Sequence, residues 1–311
     1  MKTKTQKALV LYSGGLDSRL VVKIMLEQGF EVVALHFLLP FGCNCVVPEN
    51  ESFVKDLGAE FRVIDVTKKP LLDEYLDAVE NAKFGYGAGY NPCADCKVWI
   101  FKKAKKMFDV ENFDVFATGE VLGQRPMSQT NPKRKKIDEA VGFDILRPLS
   151  AKNLPETEYE KNGLVDRNKL YEIEGRRRVE QIELANKWNL EYPTPGGGCL
   201  LCEKVLEKRF RYLIENGIVN GNNLFLLKIG RHFVIDDVWF VVSRDGKEGD
   251  LIVDIGHLKS EVGYRILEGG KGLPEIFFND VKGLENAKKL QAVYGKGVNE
   301  EERKKFDKFK L

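Results

Sequence analysis

The sequence predicts an α/β protein: a doubly wound, mostly parallel five-stranded sheet followed by a smaller α+β C-terminal domain. Three observations carry this. Through the first half of the chain, apolar runs too short for helices alternate with stretches of helical period. A glycine turn, Ser13-Gly14-Gly15-Leu16-Asp17-Ser18, joins the first such run to the first helical stretch. Beyond Asn220-Gly221-Asn222-Asn223 the pattern changes to short apolar segments. The domains are accordingly expected at residues 1–202 and 222–311, with 203–221 as a connecting helix and linker.

Ala8-Leu9-Val10-Leu11 suits a buried strand, and Leu20, Val21, Ile24, Met25 and Gln28 follow a helical period that Gly29 stops. A strand, a glycine turn and a helix start make an anion site, because free backbone N–H groups point outward where glycine lets a phosphate approach. Glu31–Phe37 reads as the second strand, and His36 and Phe37 end it where nucleotides bind in open α/β sheets. The alternation continues with a helix around Glu51–Leu57, a strand at Phe61–Val66 and a helix over Leu71–Ala82.

Glycines 85, 87 and 89 lead into Asn91-Pro92-Cys93-Ala94-Asp95-Cys96, a Cys-x-x-Cys at a helix start, where N-terminal N–H groups favour thiolate. Phe113–Thr118 is the next strand, ending in Gly119-Glu120, and Ile145–Leu149 supplies the fifth. Leu154–Asp166 is polar with little periodicity and reads as a mobile excursion. A basic helix is expected from Arg176 to Trp188, and Gly196-Gly197-Gly198-Cys199-Leu200-Leu201-Cys202 presents a second Cys-x-x-Cys. Another basic helix runs from Glu203 to about Glu215. In the C-terminal region, Leu224–Ile229, Phe233–Ile235, Val238–Ser243 and Leu251–Ile255 read as strands, Asp245-Gly246 as a hairpin turn, and Val281–Val293 as a helix.

A 43% hydrophobic content provides a core for a chain of 311 residues and excludes global disorder. The net charge is only +2, so binding to a polyanion has to use local patches. Candidates are Lys133, Arg134, Lys135 and Lys136, then Arg176, Arg177 and Arg178, and Arg231 in the C-terminal region. No run approaches the ~20 apolar residues of a membrane span, and the N-terminal apolar run is too short for a signal-peptide core. A cytoplasmic protein is expected. Six cysteines in such a setting point to metal or catalysis before disulfides. Cys43 and Cys45, with one residue between them, are poorly spaced for a tetrahedral metal site, and the sequence leaves their role and that of Cys202 open. The two Cys-x-x-Cys pairs would suit structural Zn2+, an iron–sulfur cluster or a redox pair carrying persulfide.

Ser13–Ser18 lacks the lysine of a Walker loop and resembles the PP-loop of the ATP pyrophosphatase superfamily, which holds the β,γ-pyrophosphate of ATP as a leaving group. Thr118-Gly119-Glu120-x-Leu122-Gly123-Gln124 with Ser128-Gln129-Thr130 and Leu146-Arg147-Pro148-Leu149 is similar to the core of the tRNA 4-thiouridine synthetases. Asn91-Pro92-x-x-x-Cys96 is similar to the cysteine segment of the tRNA 2-thiouridylases, where the second cysteine is the active one. The paired Cys-x-x-Cys motifs resemble those of tRNA thiolases that bind a [4Fe-4S] cluster through three cysteines. These likenesses cover about residues 7–202. Gly230-Arg231-His232-Phe233 weakly resembles the NFACT-type RNA-binding domain, which places His232 and His257 at RNA or in structure alike.

The resemblance implies an ATP-dependent tRNA uridine thiolase. Ser13, Gly14, Gly15, Asp17, Ser18, His36, Phe37, Gly119 and Gln124 would bind ATP, with Mg2+ near Asp17. A uridine carbonyl oxygen would be adenylated and replaced by sulfur, with Asp17, Cys96 and Cys199 as the catalytic residues. Cys93, Cys96 and Cys199 would hold the [4Fe-4S] cluster, and Cys202 is a fourth ligand or a bystander. The partners implied are tRNA and a sulfur donor, sulfide or a persulfide carrier; a homodimer stays open. Which uridine is modified, and whether at position 2 or 4, is not legible. The alternatives are a Cys96/Cys199 persulfide with structural metal or none, an amide-forming ligase acting on a small carboxylate, and a non-catalytic RNA-binding or metal-sensing protein.

Overall fold

The computed structural model describes residues 5–42, 47–87, 89–194, 199–257, 264–270, 272–298 and 300–311. Cys43, Cys45 and Gly196–Gly198 lie outside the described residues, as does the side chain of His257. The chain divides into two compact units, Met1–Cys202 and Glu203–Leu311.

The first unit contains strands β1 (Lys7–Leu11), β2 (Glu31–Leu38), β3 (Glu60–Asp65) and β4 (Val115–Thr118). Its helices are α1 (Leu16–Glu27), α2 (Val47–Asp56), α3 (Leu71–Glu80), α4 (Cys93–Val110), α5 (Asn131–Val141), α6 (Glu158–Lys161) and α7 (Val179–Lys187). The strands form one parallel sheet in the order β3-β2-β1-β4, with Leu11 opposite both Leu35 and Thr118. Helices on a parallel sheet bury it on both faces, which is why β1 and β4 read as unbroken apolar runs. Ala8, Val10, Val115 and Ala117 pack with Leu20, Val21 and Ile24 of α1 in one core. The sheet order reverses between β1 and β4, and ligands bind outside the carboxyl ends of the strands at such a switch point. Ser13 and Gly119 leave the sheet there.

The expected fifth strand is reduced to one parallel bridge, Ala117 to Leu146. Pro148 has no N–H to continue a ladder, and the Ser150 N–H turns back to the Arg147 carbonyl at 2.9 Å. The sheet is therefore four-stranded. The polar Leu154–Asp166 segment is not a featureless excursion: Thr157 and Glu160 form a capping box at α6, and Arg167 pairs with Glu160.

The second unit contains strands β5 (Arg231–Ile235), β6 (Val238–Val242), β7 (Arg265–Leu267) and β8 (Ile276–Phe278), antiparallel in the order β5-β6-β8-β7. Its helices are α8 (Lys204–Glu215), α9 (Gly221–Leu226), α10 (Gly246–His257), α11 (Leu284–Tyr294) and α12 (Glu300–Lys304). The helix expected as a connector, α8, belongs to this unit: Leu206, Phe210 and Leu213 are buried, and Arg209 donates to the Leu227 carbonyl at 2.8 Å.

Two expected strands are helices. Asn220 caps α9 by accepting from Asn223 N, so Leu224 and Leu226 are buried on a helix. Asp245 accepts from Glu248 N at 3.0 Å and starts α10, so Asp245-Gly246 is a helix cap and Leu251–Ile255 is helical. The actual hairpin turn is Asp236-Asp237 between β5 and β6, with φ of 50° and 61°. Among the described residues no helix is long and apolar enough to cross a membrane.

A candidate nucleotide and thiol site

The turn after β1 packs without slack. Gly14 has φ of 83°, and a Cβ there would lie 2.5 Å from Asn50 Oδ1. A Cβ on Gly119 would lie 2.8 Å from the Ser18 N and 2.9 Å from the Asp17 carbonyl carbon, so the end of β4 backs the turn directly. Ser18 Oγ donates to the Gly15 carbonyl at 2.9 Å and accepts from Ser13 N at 3.3 Å. Gly15 precedes α1 with no side-chain cap, so the helix start keeps its outward N–H groups.

Sequence reading missed Arg19. Its guanidinium is buried, donates to the Gly14 carbonyl at 2.9 Å, the Glu191 carbonyl at 2.9 Å and Asn50 Oδ1 at 3.3 Å, and stacks 3.9 Å over Phe53. The signal available was a charge on the otherwise apolar face of α1.

Asp17 Oδ2 accepts from Gln124 Nε2 at 2.8 Å, while Asp17 Oδ1 is buried with no partner. Burial pushes the carboxyl above its ordinary value, opposed by the hydrogen bond of Gln124, the charge of Arg178, the nearby Gln181 amide and the charge of Arg125. A buried, orphaned carboxylate oxygen beside a phosphate-type turn fits a hard divalent cation such as Mg2+. Gln181, also absent from the sequence reading, is fully buried and donates through Nε2 to Gln124 Oε1 at 3.3 Å.

His36 is buried, its Nδ1 lies 2.9 Å from the Tyr12 carbonyl, and burial holds its pKa below the ordinary value. It is a neutral ring fixed under the sheet end. The Tyr12 N–H bonds the Leu35 carbonyl at 2.9 Å. Two residues on, the Phe37 main chain points to the same side, past the end of β1.

The two Cys-x-x-Cys segments meet. Cys93 opens α4 with Cys96 one turn on, and Cys199 precedes a 3-10 turn at Leu200–Cys202 that Cys202 closes. A Cβ on Gly89 would lie 2.7 Å from the Leu201 carbonyl, so this glycine lets the loops touch. The Leu200 N–H bonds the Phe41 carbonyl at 3.0 Å, and Asp95 accepts from Lys83 N at 2.7 Å. Tyr75, fully buried, places its hydroxyl 3.3 Å from Cys96 Sγ, and Asn91 Nδ2 lies 3.7 Å from Cys93 Sγ. Cys93, Cys96, Cys199 and Cys202 are all free thiols.

A helix start was expected to favour thiolate at Cys93 and Cys96, but burial outweighs it. Desolvation raises the Cys93 thiol, pushes Cys96 up to about 11 and raises Cys199 further. The charges of Cys202, Cys96 and Cys93 all act on Cys199, so the four sulfurs form one electrostatic group. Soft sulfur donors of this kind fit a thiophilic group, iron–sulfur or zinc. Among the described residues no three ligating side chains already surround a common ion position.

Glu120 ties this group to the turn. Its buried carboxylate pairs with Lys97, the residue after Cys96, and with Arg147 Nε at 2.9 Å. Arg147 continues to Asp138 at 2.6 Å, which also pairs with Arg134. Burial alone would raise the Glu120 carboxyl, yet Lys97 and Arg147 together hold it below the usual range.

Residues 3–156 match the family model described as thiamine biosynthesis protein ThiI. This segment carries the likeness to a PP-loop tRNA-thiolation family. A probable tRNA sulfurtransferase of Methanocaldococcus jannaschii is 28% identical over 143 residues, covering 46% of this chain and 36% of that protein. The tRNA-specific 2-thiouridylase MnmA of Akkermansia muciniphila is 32% identical over 159 residues, covering 46% of this chain and 43% of the relative. A probable tRNA sulfurtransferase of Mycoplasma genitalium is 26% identical over 221 residues, covering 70% and 54%. The chain thus spans about half or less of these relatives' length.

Around the PP-loop, the basic residues divide. Arg134 is buried against Asp138, leaving Lys135 and Lys136 exposed on α5 and Lys133 reaching the Phe84 carbonyl at 3.4 Å. Arg176 and Arg177 are exposed, whereas Arg178 is half-buried and its charge reaches Asp17. In the second unit, Arg231 stacks 5.2 Å over Tyr294. His232 is structural: fully buried, it lies 2.9 Å from the Ile229 carbonyl and accepts from Trp239 Nε1 at 3.1 Å.

Proposed function

We propose that this protein is an ATP-dependent tRNA sulfurtransferase, acting in the cytoplasm, that replaces a uridine carbonyl oxygen with sulfur. The observation that carries the reading is the continuity from PP-loop to thiols: Gly119 against Ser18, then Glu120 paired with Lys97 beside Cys96. A turn suited to pyrophosphate and a group of sulfur donors would thereby share one site. The family match and the names of the relatives support the same reaction class.

The carbonyl oxygen of uridine is a poor leaving group. Its attack on the α-phosphate of ATP forms an O–P bond and expels pyrophosphate, which the N–H groups at the start of α1 and the hydroxyls of Ser13 and Ser18 would receive. The Asp17 carboxylate, oriented by Gln124, would hold Mg2+ on its unpaired Oδ1. Hydrosulfide then attacks the activated carbon, and AMP departs with the oxygen; a Cys96 or Cys199 persulfide attacking instead would leave a disulfide-linked adduct, which the other of these two thiols would cleave, releasing thiouridine as a Cys96–Cys199 disulfide forms. The sum is uridine, ATP and hydrosulfide giving thiouridine, AMP and pyrophosphate. His36 and Phe37 would border the adenine, and the basic residues 133, 135, 136, 176, 177 and 231 would contact tRNA phosphates, which position without selecting a base.

Cys93, Cys96 and Cys199, with Cys202 at the exposed edge, are the residues to hold a [4Fe-4S] cluster. When bound, such a cluster supplies a Lewis-acidic iron able to take up sulfide. The chain's own part is to release the thiol protons and to shield the group with Tyr75 and Phe41. Iron and acid-labile sulfide in anaerobically prepared protein test this assignment. Near-stoichiometric cluster in the parent, absent from the Cys93→Ser, Cys96→Ser and Cys199→Ser variants, is expected. Zinc alone, or no metal with persulfide on Cys96 or Cys199, would overturn the cluster while leaving thiolation to its own assay.

A further inference from the structure

We propose that Arg178 is a ligand of the nucleotide's β,γ-phosphates, carried to the PP-loop by the first turn of α7, and not part of the RNA-binding surface. Arg178 immediately precedes α7, and its carbonyl accepts from Ile182 N at 3.0 Å to close the first turn. Three residues on, Gln181 is fully buried and bonds Gln124, which bonds Asp17. Residues three apart share one helix face. The face that wires Gln181 to the PP-loop aspartate therefore also presents Arg178.

Two further observations point to a ligand. Gln181 Oε1 and Asp17 Oδ1 are both buried and unpartnered, so the hydrogen-bonded chain of three side chains ends in open polar atoms. Among the described residues, neither Arg178 nor Arg125, the neighbour of Gln124, has a carboxylate partner at ion-pair distance; the charge both act on is Asp17. An unpaired, half-buried guanidinium beside a phosphate-binding turn is suited to bidentate contact with phosphate oxygens. Arg176 and Arg177, by contrast, are exposed. A polyphosphate with its cation would satisfy the guanidinium and the orphan Asp17 oxygen together.

The assignment rests on the PP-loop as the nucleotide site, and the test separates the two. Binding of α,β-methylene-ATP with Mg2+ is measured by calorimetry on the full chain, and tRNA retention is measured on filters. Arg178→Ala should weaken the nucleotide by about tenfold or more and leave tRNA binding within about twofold. Arg178→Lys should recover part of the loss, since it restores charge without the planar fork. Arg177→Ala is the exposed control and should leave nucleotide binding unchanged. An Arg178→Ala protein of unaltered melting temperature that binds the nucleotide as the parent does would overturn the assignment, whether or not tRNA binding falls. A parent that binds no nucleotide would overturn the nucleotide reading itself, and the assignment with it.

Discussion

Lys97 and Glu120 form the joint between the two halves of the site. One follows Cys96 on α4 and the other follows Gly119 at the end of β4, and their side chains pair in a buried position that Arg147 shares. Breaking a buried pair strands the partner charge. Glu120→Gln should therefore destabilise the protein by roughly 3 kcal/mol, read as a fall in chemical-denaturation midpoint. Since the folded carboxyl is held below its unfolded value, its contribution is present above the unfolded value and is lost as pH falls through the folded one. The parent should lose stability on acidification in that window, and the variant should lose less. An equal acid response in both would remove Glu120 from this role.

Asp17→Asn keeps the hydrogen bond from Gln124 but removes the charge facing the expected cation. Pyrophosphate release should drop by roughly 100-fold or more, with the melting temperature nearly unchanged. Turnover retained within a few-fold would contradict the role given to the unpaired oxygen.

Two glycines separate the functions. Gly119→Ala places a Cβ 2.8 Å from the Ser18 N and should abolish ATP binding while the thiols still bind metal. Gly89→Ala places one 2.7 Å from the Leu201 carbonyl and should lower metal content while ATP still binds. Metal stoichiometry and nucleotide affinity on both variants check this crossed pattern. Loss of both properties in either variant would mean general misfolding.

His232 offers a pH test in the second unit. Trp239 Nε1 donates to its Nδ1, so the ring proton lies on Nε2 toward the Ile229 carbonyl. Burial pushes its pKa down to about 3. The unfolded ring takes up a proton below about 6.5, whereas the folded one does not, so stability should fall as pH drops from there toward 3. The His232 ring signal in NMR should stay that of a neutral imidazole at pH 5. A titration with a midpoint near 6.5 would contradict the buried assignment.

The strand, turn and helix of the PP-loop were legible because they are local: an apolar run, two glycines and a 3.6-residue period within residues 8–28. The β1–β4 crevice follows from the same alternation, whereas the meeting of the two cysteine segments was implied only by the family resemblance and by no local pattern. What was hidden depends on distant partners. Arg19 bonds Glu191, Gln181 bonds Gln124, and Glu120 bonds Lys97, across separations that no local window spans. Leu224–Ile229 and Leu251–Ile255 were misread as strands because a short apolar run does not distinguish strand from helix, and the caps at Asn220 and Asp245 decided the matter. The expected fifth strand failed at Pro148. Thiolate at Cys96 failed because helix-start stabilisation is small beside the cost of burying a charge.

The central claim is tested most directly by incubating the anaerobically prepared protein with uridine-containing tRNA, ATP, Mg2+ and sulfide, then digesting the tRNA and reading its nucleosides by mass spectrometry. The account predicts a thiouridine that requires both ATP and tRNA, accompanied by AMP and pyrophosphate, and lost in Asp17→Asn and Cys199→Ser. Pyrophosphate release that responds to a small carboxylic acid but not to tRNA, or ATP turnover without any thionucleoside, would contradict it.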